Sequence, residues 1–450
     1  MKPRLLELPL LQNWSCHNCG GCCKKHLIEI TEEERLRIDA QGWTVAELPD
    51  GLPPYVHLGP ASFGKHRLSQ REDGACVFLN EAGLCRIHAK FGEAAKPLPC
   101  RLYPYVFHPT GKGLIVGLRY SCPSVIRNAG RDLDAQRDDL KHLAQATVAD
   151  WPDNIPAPRL SDKSPGAWPL VDVLLAAFIE DLGDRTIPLR LRLVRVAAWT
   201  ELLSTANLTE LTVGQLRETC RVVRATVAQL LTDDPAAGGN VAIPPTDRLT
   251  RLSFTQLVAY YTREDTVVDQ SRGWGGRWKL LRDILVFTFR RGRLPDLSPT
   301  WPGILIRDVE RNLLPWFTPQ ADELCTRYLV TKLQSRAFCG PAYYGEPVIE
   351  GLWSLLLTIP VTVWLARWHA ITRMTSNSAN GGRDAGRVEA ASSESLRIEQ
   401  IDLETALARV DHNHGYSPAL GLRSVKSRLR SFARREQLTS LLWNVTREPV

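Results

Sequence analysis

Cys16-His17-Asn18-Cys19-Gly20-Gly21-Cys22-Cys23 places four thiols within eight residues of a 450-residue chain. Packing alone does not explain this, because a buried cysteine acts as a small hydrophobe and no core needs four at such intervals. Thiolates spaced C-x2-C-x2-C can close round one soft metal centre. Ferredoxin-type runs hold iron–sulfur clusters in this way, and C-x2-C is half of many zinc sites. Gly20 and Gly21 let the backbone curl beside the sulfurs. The adjacent pair Cys22-Cys23 sends its side chains apart, so Cys23 can serve a second centre or a hydrogen-bond network.

The thiol count continues to Cys76, Cys85, Cys100 and Cys122, so eight of the eleven cysteines precede residue 123. Cys220, Cys325 and Cys339 are solitary. Cys220 falls on an apolar stripe with Val213, Leu216, Val223, Val227 and Leu230, the repeat of a packed helix face. All three are expected to be dispensable for metal. His88 follows Cys85 by three residues and would suit a mixed Cys/His zinc set, whereas His17 and His26 read as bystanders. Evenly spaced cysteines followed by a remote Cys-Pro favour a [4Fe–4S] cluster, with zinc as the alternative.

These blocks resemble the CxxCxxCC family of zinc- or iron-chelating domains. They are Cys16-x2-Cys19-x2-Cys22-Cys23, Cys76-Val77-Phe78-Leu79, Gly83-Leu84-Cys85-Arg86-Ile87-His88, Cys100-Arg101-Leu102-Tyr103-Pro104 and Ser121-Cys122-Pro123. The likeness covers the first third of the chain. The wider layout, with the stretch Arg327-Tyr328-Leu329-Val330, is similar to the flagellin lysine N-methylases, in which a cysteine region precedes a long helical part. The first resemblance implies a metal-binding protein. The second implies an iron–sulfur-dependent protein lysine N-methyltransferase using S-adenosylmethionine. Against that route, the chain has no G-x-G-x-x-G after a strand, no P-loop and no nucleophile elbow, and its spacing is not that of radical methionine-nucleotide enzymes. Gly273-Trp274-Gly275-Gly276 reads as a turn. No catalytic residue is assigned.

The expected fold is mainly α, with a small irregular α+β cysteine-rich domain followed by a helical one. The domains are read as 1–150, a Pro-rich linker over 151–168, and helices over 169–450 interrupted by a disordered insertion at 375–393. Thr31-Glu32-Glu33-Glu34 opens a helix to about residue 40. Two hairpins are expected, at 76–87 and 105–120, with a helix over 131–147. Further helices are expected at 250–262, 277–290, 303–313, 319–337, 348–372, 395–410 and 418–443. In the last, Val425, Leu429 and Phe432 face inward and Arg428, Arg430, Arg434 and Arg435 outward.

Net charge is +7, with seven Lys/Arg against two Asp/Glu in residues 421–450. This permits an acidic partner without demanding one. Groove-reading motifs and interleaved aromatics are missing, so no strong nucleic-acid signal is present, and a protein partner or substrate is the expectation for the helical half. Residues 351–366 are uncharged but too few to span a bilayer, and they read as a buried helix, with no membrane contact. Reduced metal-binding cysteines and the lack of a secretory leader place the expected location in the cytoplasm.

Overall fold

The computed structural model describes residues 5–9, 11–58, 65–148, 155–232, 243–262, 273–298, 301–380, 397–434 and 437–447. Strands β1 (Leu5–Glu7) and β2 (Asn13–Trp14) lead into helix α1 (Gly21–Lys25), strand β3 (Glu29–Ile30) and helix α2 (Glu32–Ala40). Strands β4 (Tyr55–His57) and β5 (His66–Leu68) and helices α3 (Arg86–Phe91) and α4 (Leu98–Leu102) follow. Next come β6 (Tyr105–Pro109), β7 (Gly113–Leu118), α5 (Pro123–Ile126), β8 (Arg131–Asp132) and α6 (Arg137–Val148). Three small sheets result: β1-β7-β6, with β1 parallel to β7; the antiparallel pair β2-β8; and antiparallel β3-β5-β4.

Local chemistry accounts for the elements that match expectation. Thr31 Oγ1 accepts from the Glu34 N–H at 3.2 Å while the Glu34 carboxylate accepts from the Thr31 N–H at 2.9 Å. This reciprocal cap satisfies two orphan donors and starts α2. The other Glu34 oxygen accepts from the Leu98 N–H at 2.6 Å, tying α2 to the start of α4. The hairpin expected over 105–120 forms as β6 and β7, its turn closed by Thr110 Oγ1 accepting from the Gly113 N–H at 3.2 Å.

The hairpin expected over 76–87 does not form. Only single bridges occur there, Gln70 with Cys76 and Leu79 with Cys85, and the chain turns into α3 at Arg86. Residues 75–79 are all buried, so this stretch lacks the solvent face of a two-stranded ribbon. The Arg86 N–H bonds the Phe78 carbonyl, and the Ala89 N–H bonds that of Cys85, which begins the helix.

The remaining chain is helical. Its helices are α7 (Trp168–Gly183), α8 (Leu189–Thr205), α9 (Val213–Leu230), α10 (Arg248–Tyr261), α11 (Gly273–Phe289), α12 (Ile306–Arg311), α13 (Pro319–Gln334), α14 (Val348–Asn380), α15 (Gln400–Asn413), α16 (Arg423–Arg434) and α17 (Gln437–Val445). The mainly α class with an α+β N-terminal part is therefore observed. Gly273-Trp274-Gly275-Gly276, read as a turn, instead starts α11. The single helix expected over 418–443 is two. Val425, Leu429 and Phe432 bury one stripe on α16, whereas Leu438, Leu441 and Leu442 bury another on α17 that is out of phase with it, and a straight helix cannot serve both. Of the expected insertion, residues up to 380 belong to α14 and 381–393 lie outside the described residues.

α14 is the spine of the body. Over Val348–Thr375 it is long and apolar enough to cross a membrane by length and composition, yet its apolar window is wholly buried inside the fold, as expected for 351–366. α13, α15 and α17 pack against it. Gly351 lets α14 approach backbone: a Cβ there would lie 2.0 Å from the Phe338 carbonyl oxygen. Gly351→Ala is expected to cost about 1–3 kcal/mol in urea unfolding, towards the upper figure because the obstacle is main chain.

The sheet β1-β7-β6 shares its core with these helices, since Leu6, Phe107, Val116, Tyr120 and Val125 lie in one cluster with Tyr328 and Leu329 of α13. Arg327 clamps the junction. Its guanidinium donates to Gln12 Oε1 at 3.1 Å and to the carbonyls of Val125 and Ile126 at 2.9 and 2.5 Å. Gln12 Oε1 also accepts from Tyr120 at 2.7 Å.

Beside this junction His414 is buried, its Nδ1 3.0 Å from the Tyr261 hydroxyl. Burial first, then the Lys332 ammonium, depress it to about 3. His108 is depressed to about 4 by the same two causes. Both stay neutral in the fold but charge readily near pH 6.5 once the chain unfolds, so added protons favour the unfolded state. Stability should be full above about pH 6.5 and fall as pH drops, by about 1.4 kcal/mol per unit for His414 and less for the more accessible His108. Urea titrations at pH 7 and pH 5 test this, with His414→Gln flattening the loss if it folds.

Candidate metal centre

Apart from the main core, a second and smaller one is built from Ile30, Ile38, Leu48, Leu68, Val77, Phe78 and Ile87. Cys76 is buried in it, and Cys23, Cys85 and Cys100 pack against it. Three separate segments deliver these thiols. Gly20, at φ 65°, turns the chain into α1, a left-handed step suited to glycine. Contrary to the divergence expected of adjacent side chains, α1 presents Cys22 and Cys23 with sulfurs 3.9 Å apart, close enough for one thiol to hydrogen-bond the other. The Cys76 N–H donates to the Cys23 carbonyl at 2.8 Å and fixes the second segment to the first. Cys85 caps the start of α3 and Cys100 lies in α4.

Electrostatics join Cys22 to this core. The Cys22 thiol is pushed far up, first by its hydrogen bond with Cys23, then by burial and by the charge Cys23 can carry. Cys76 is pushed up to about 12, mainly by burial; the Phe78 N–H opposes the shift, and Cys85 and Cys22 add to it. Cys100 is raised by burial, then by Cys76, Cys85 and Cys22, against the pull of Lys96. Cys22, Cys76 and Cys100 therefore lie near enough for charge on a neighbouring thiol to add to the effect of burial. Two buried guanidinium nitrogens without a partner, the Nε atoms of Arg86 and Arg101, belong to residues directly following Cys85 and Cys100.

The other three N-terminal cysteines are not part of that core. Cys16 and Cys19 are exposed, and Cys122 is buried in the main core as the cap of α5. Burial raises Cys122; the Val125 N–H, the Trp14 indole and the Ser124 N–H pull it down, and Cys19 pushes it up. The Trp14 Nε1 is buried and faces this sulfur without closing a hydrogen bond. Tyr103 lies near both Cys122 and Cys22. Its hydroxyl is 3.2 Å from Ser121 Oγ, and its ionisation is opposed by burial first, then by Cys122 on one side and Cys22 on the other.

The histidines take other roles. His88 is exposed on α3. His17 Nδ1 is 2.9 Å from Ser124 Oγ, and His26 stacks between Tyr103 and His412, with centroids at 4.8 and 5.1 Å. Cys220, Cys325 and Cys339 are buried in the main core. Burial raises Cys220 to about 11 and the other two to about 12, and no thiol contributes to their shifts. All eleven cysteines are free. Among the described residues, no three His, Cys, Asp or Glu side chains already enclose a point where an ion could sit. The fold thus gathers Cys23, Cys76, Cys85 and Cys100 at the small core with Cys22 beside Cys23, buries Cys122 in the main core, and leaves Cys16 and Cys19 exposed. Trp14 carries no motif of its own in the sequence, whereas Arg86, Arg101 and Tyr103 lie inside the cysteine blocks, which is their signal.

Residues 15–123, about a quarter of the chain, match the CxxCxxCC family model, described as "Putative zinc- or iron-chelating domain". The match encloses all eight N-terminal cysteines. No curated protein and no solved structure matches the chain, so nothing in these comparisons supports the resemblance to flagellin lysine N-methylases.

Proposed function

We propose that the N-terminal region is a thiolate metal centre, with an iron–sulfur cluster as its group and structural zinc as the alternative. The observation that carries this reading is the small core at which Cys23, Cys76, Cys85 and Cys100 pack from separate segments as free thiols, with the Cys22 sulfur 3.9 Å from that of Cys23. The donor set fits. It is all sulfur, which suits iron–sulfur clusters and zinc and disfavours hard cations. His88, exposed on α3, stands outside the thiol core, which weighs towards iron–sulfur over a mixed Cys/His zinc set. The unpartnered Nε atoms of Arg86 and Arg101 offer positive charge that an anionic thiolate cluster needs nearby.

An iron–sulfur group would supply one-electron chemistry, and zinc a cross-link between segments. The chain's own contribution is to bring the sulfurs together, exclude water round Cys76, and pack Cys85 and Cys100 against the small core. Metal binding, rather than methyl transfer, is the reading because the thiol core and the match to a chelating-domain model both support it.

Anaerobic purification followed by metal analysis and an absorption spectrum tests it. Iron with acid-labile sulfide and a broad visible band is the expected result. Zinc without that band would select the structural alternative. A protein that binds neither metal after anaerobic reconstitution would overturn the proposal.

A further inference from the structure

Among its described side chains, helix α11 docks on the body through one face. Val286 and Phe287 are buried, Phe287 with its ring 6.1 Å from that of Trp364, and Gln256 of α10 donates to Thr288 at 3.2 Å. The opposite side carries Trp278, Leu281, Leu285 and Phe289, at i, i+3, i+7 and i+11, which is a single stripe on a helix. All four are exposed, Trp278 by 68% and Phe289 by 66%, and Ile284 flanks them at 45%. Contiguous apolar patches of this kind mark an interaction site, in contrast to the scattered exposed leucines of any surface.

Charge identifies the occupant. From residue 272 to residue 293 the sequence holds seven Lys/Arg and one Asp. Arg282 extends beside the stripe, 64% exposed and paired with Asp283 at 3.0 Å, and Arg291 and Arg293 are exposed just beyond its end. Arg290 is paired with Glu310 at 2.6 Å and is only a third exposed. An aromatic and aliphatic ridge bordered by cations is the pattern that settles into the boundary of headgroups and acyl chains, with anionic lipid attracting the basic border. A ridge that projects from one helix also needs no groove shaped to receive it, which a bilayer does not provide and a protein partner must.

We infer that α11 is a lipid-surface contact that seats the protein on anionic membranes by Trp278, Leu281, Leu285 and Phe289, with Arg282, Arg291 and Arg293 at the headgroups. This contact lies on the surface of the bilayer and is independent of α14, which stays buried.

The test is cosedimentation of the full chain with phosphatidylcholine vesicles, with and without phosphatidylserine. Binding should appear only with phosphatidylserine and fade as salt rises from about 0.1 M to about 1 M, where screening shortens to about 3 Å. Trp278→Ser/Phe289→Ser, which removes only exposed side chains, should weaken binding about tenfold or more at an unchanged circular dichroism spectrum. Arg282→Glu/Arg291→Glu should do the same by charge. The inference fails if the wild type does not sediment with anionic vesicles at low salt, or if the aromatic variant binds as well as the wild type. It fails equally if gel filtration shows a dimer that the aromatic variant dissociates, since a second copy then covers the ridge.

Discussion

Cys76→Ser should release the metal and unfold the small core while leaving the helical body intact. Cys76 is buried among Val77, Phe78 and Ile87, and its backbone is bonded to Cys23. The surrounding segment has little else to hold it. Its strands β3, β4 and β5 are two or three residues long, and ordering its loops costs roughly 1–2 kcal/mol per residue in backbone entropy. A structural thiolate site supplies on the order of 10 kcal/mol of apparent folding free energy, more than such a core can forgo. Serine matches the size of the thiol but is a poor ligand for soft metals. Metal per chain should therefore fall to background, and limited proteolysis should open residues 21–102 while the helical fragment persists. Cys325→Ser, in the main core, should keep its metal. A Cys76→Ser protein with full metal and a protease-resistant N-terminal region would place the centre elsewhere.

The second large effect concerns Lys332 and Asp411. Their side chains are 3% and 0% exposed, with Nζ 2.5 Å from Oδ1. Lys332 also donates to the Leu118 carbonyl at 3.3 Å, and Asp411 accepts from the Ser121 N–H at 3.0 Å. Asp411→Ala would leave an ammonium buried without its counter-ion, and about 3–5 kcal/mol of stability should be lost. Replacing both, as Lys332→Met/Asp411→Leu, should recover most of that loss, because an apolar pair of similar volume avoids the desolvation penalty altogether. Urea unfolding at pH 7 of the single and double variants distinguishes these outcomes. If the single variant matched the wild type, the pair would have to be solvated. The double variant should also soften the acid sensitivity, since the Lys332 charge is the second cause holding His108 and His414 neutral.

Features that depend on close neighbours are legible in the sequence itself. The C-x2-C-x2-CC run, the Thr31 cap, the β6–β7 hairpin turning at Thr110, and the stripe that buries Cys220 each follow from residues a few positions apart. The division of the cysteines is another matter. Whether Cys122 looks towards Cys76 or towards Cys19 is decided by the path from α4 through β6 and β7, and spacing holds no trace of it. Residues 75–79 mislead because a wholly apolar run of that length suits a strand, and only its burial on every side shows that no ribbon is possible. The break between α16 and α17 is legible in the phase of Val425, Leu429 and Phe432 against Leu438 and Leu441. The grip of Arg327 on Gln12, across 315 positions of chain, is not.

The burial of α14 also sets an order of events during synthesis. Its cover comes from both directions along the chain: α8 and α13 precede it, whereas α15, α16 and α17 follow it. While the ribosome is still making residues 397–447, a helix with the length and composition of a membrane span has emerged with part of its sheath untranslated. In that interval the nascent chain presents the kind of surface that trigger-type chaperones and insertion machinery recognise, and that unassisted chains use to aggregate. The finished protein hides the segment; its biosynthesis cannot.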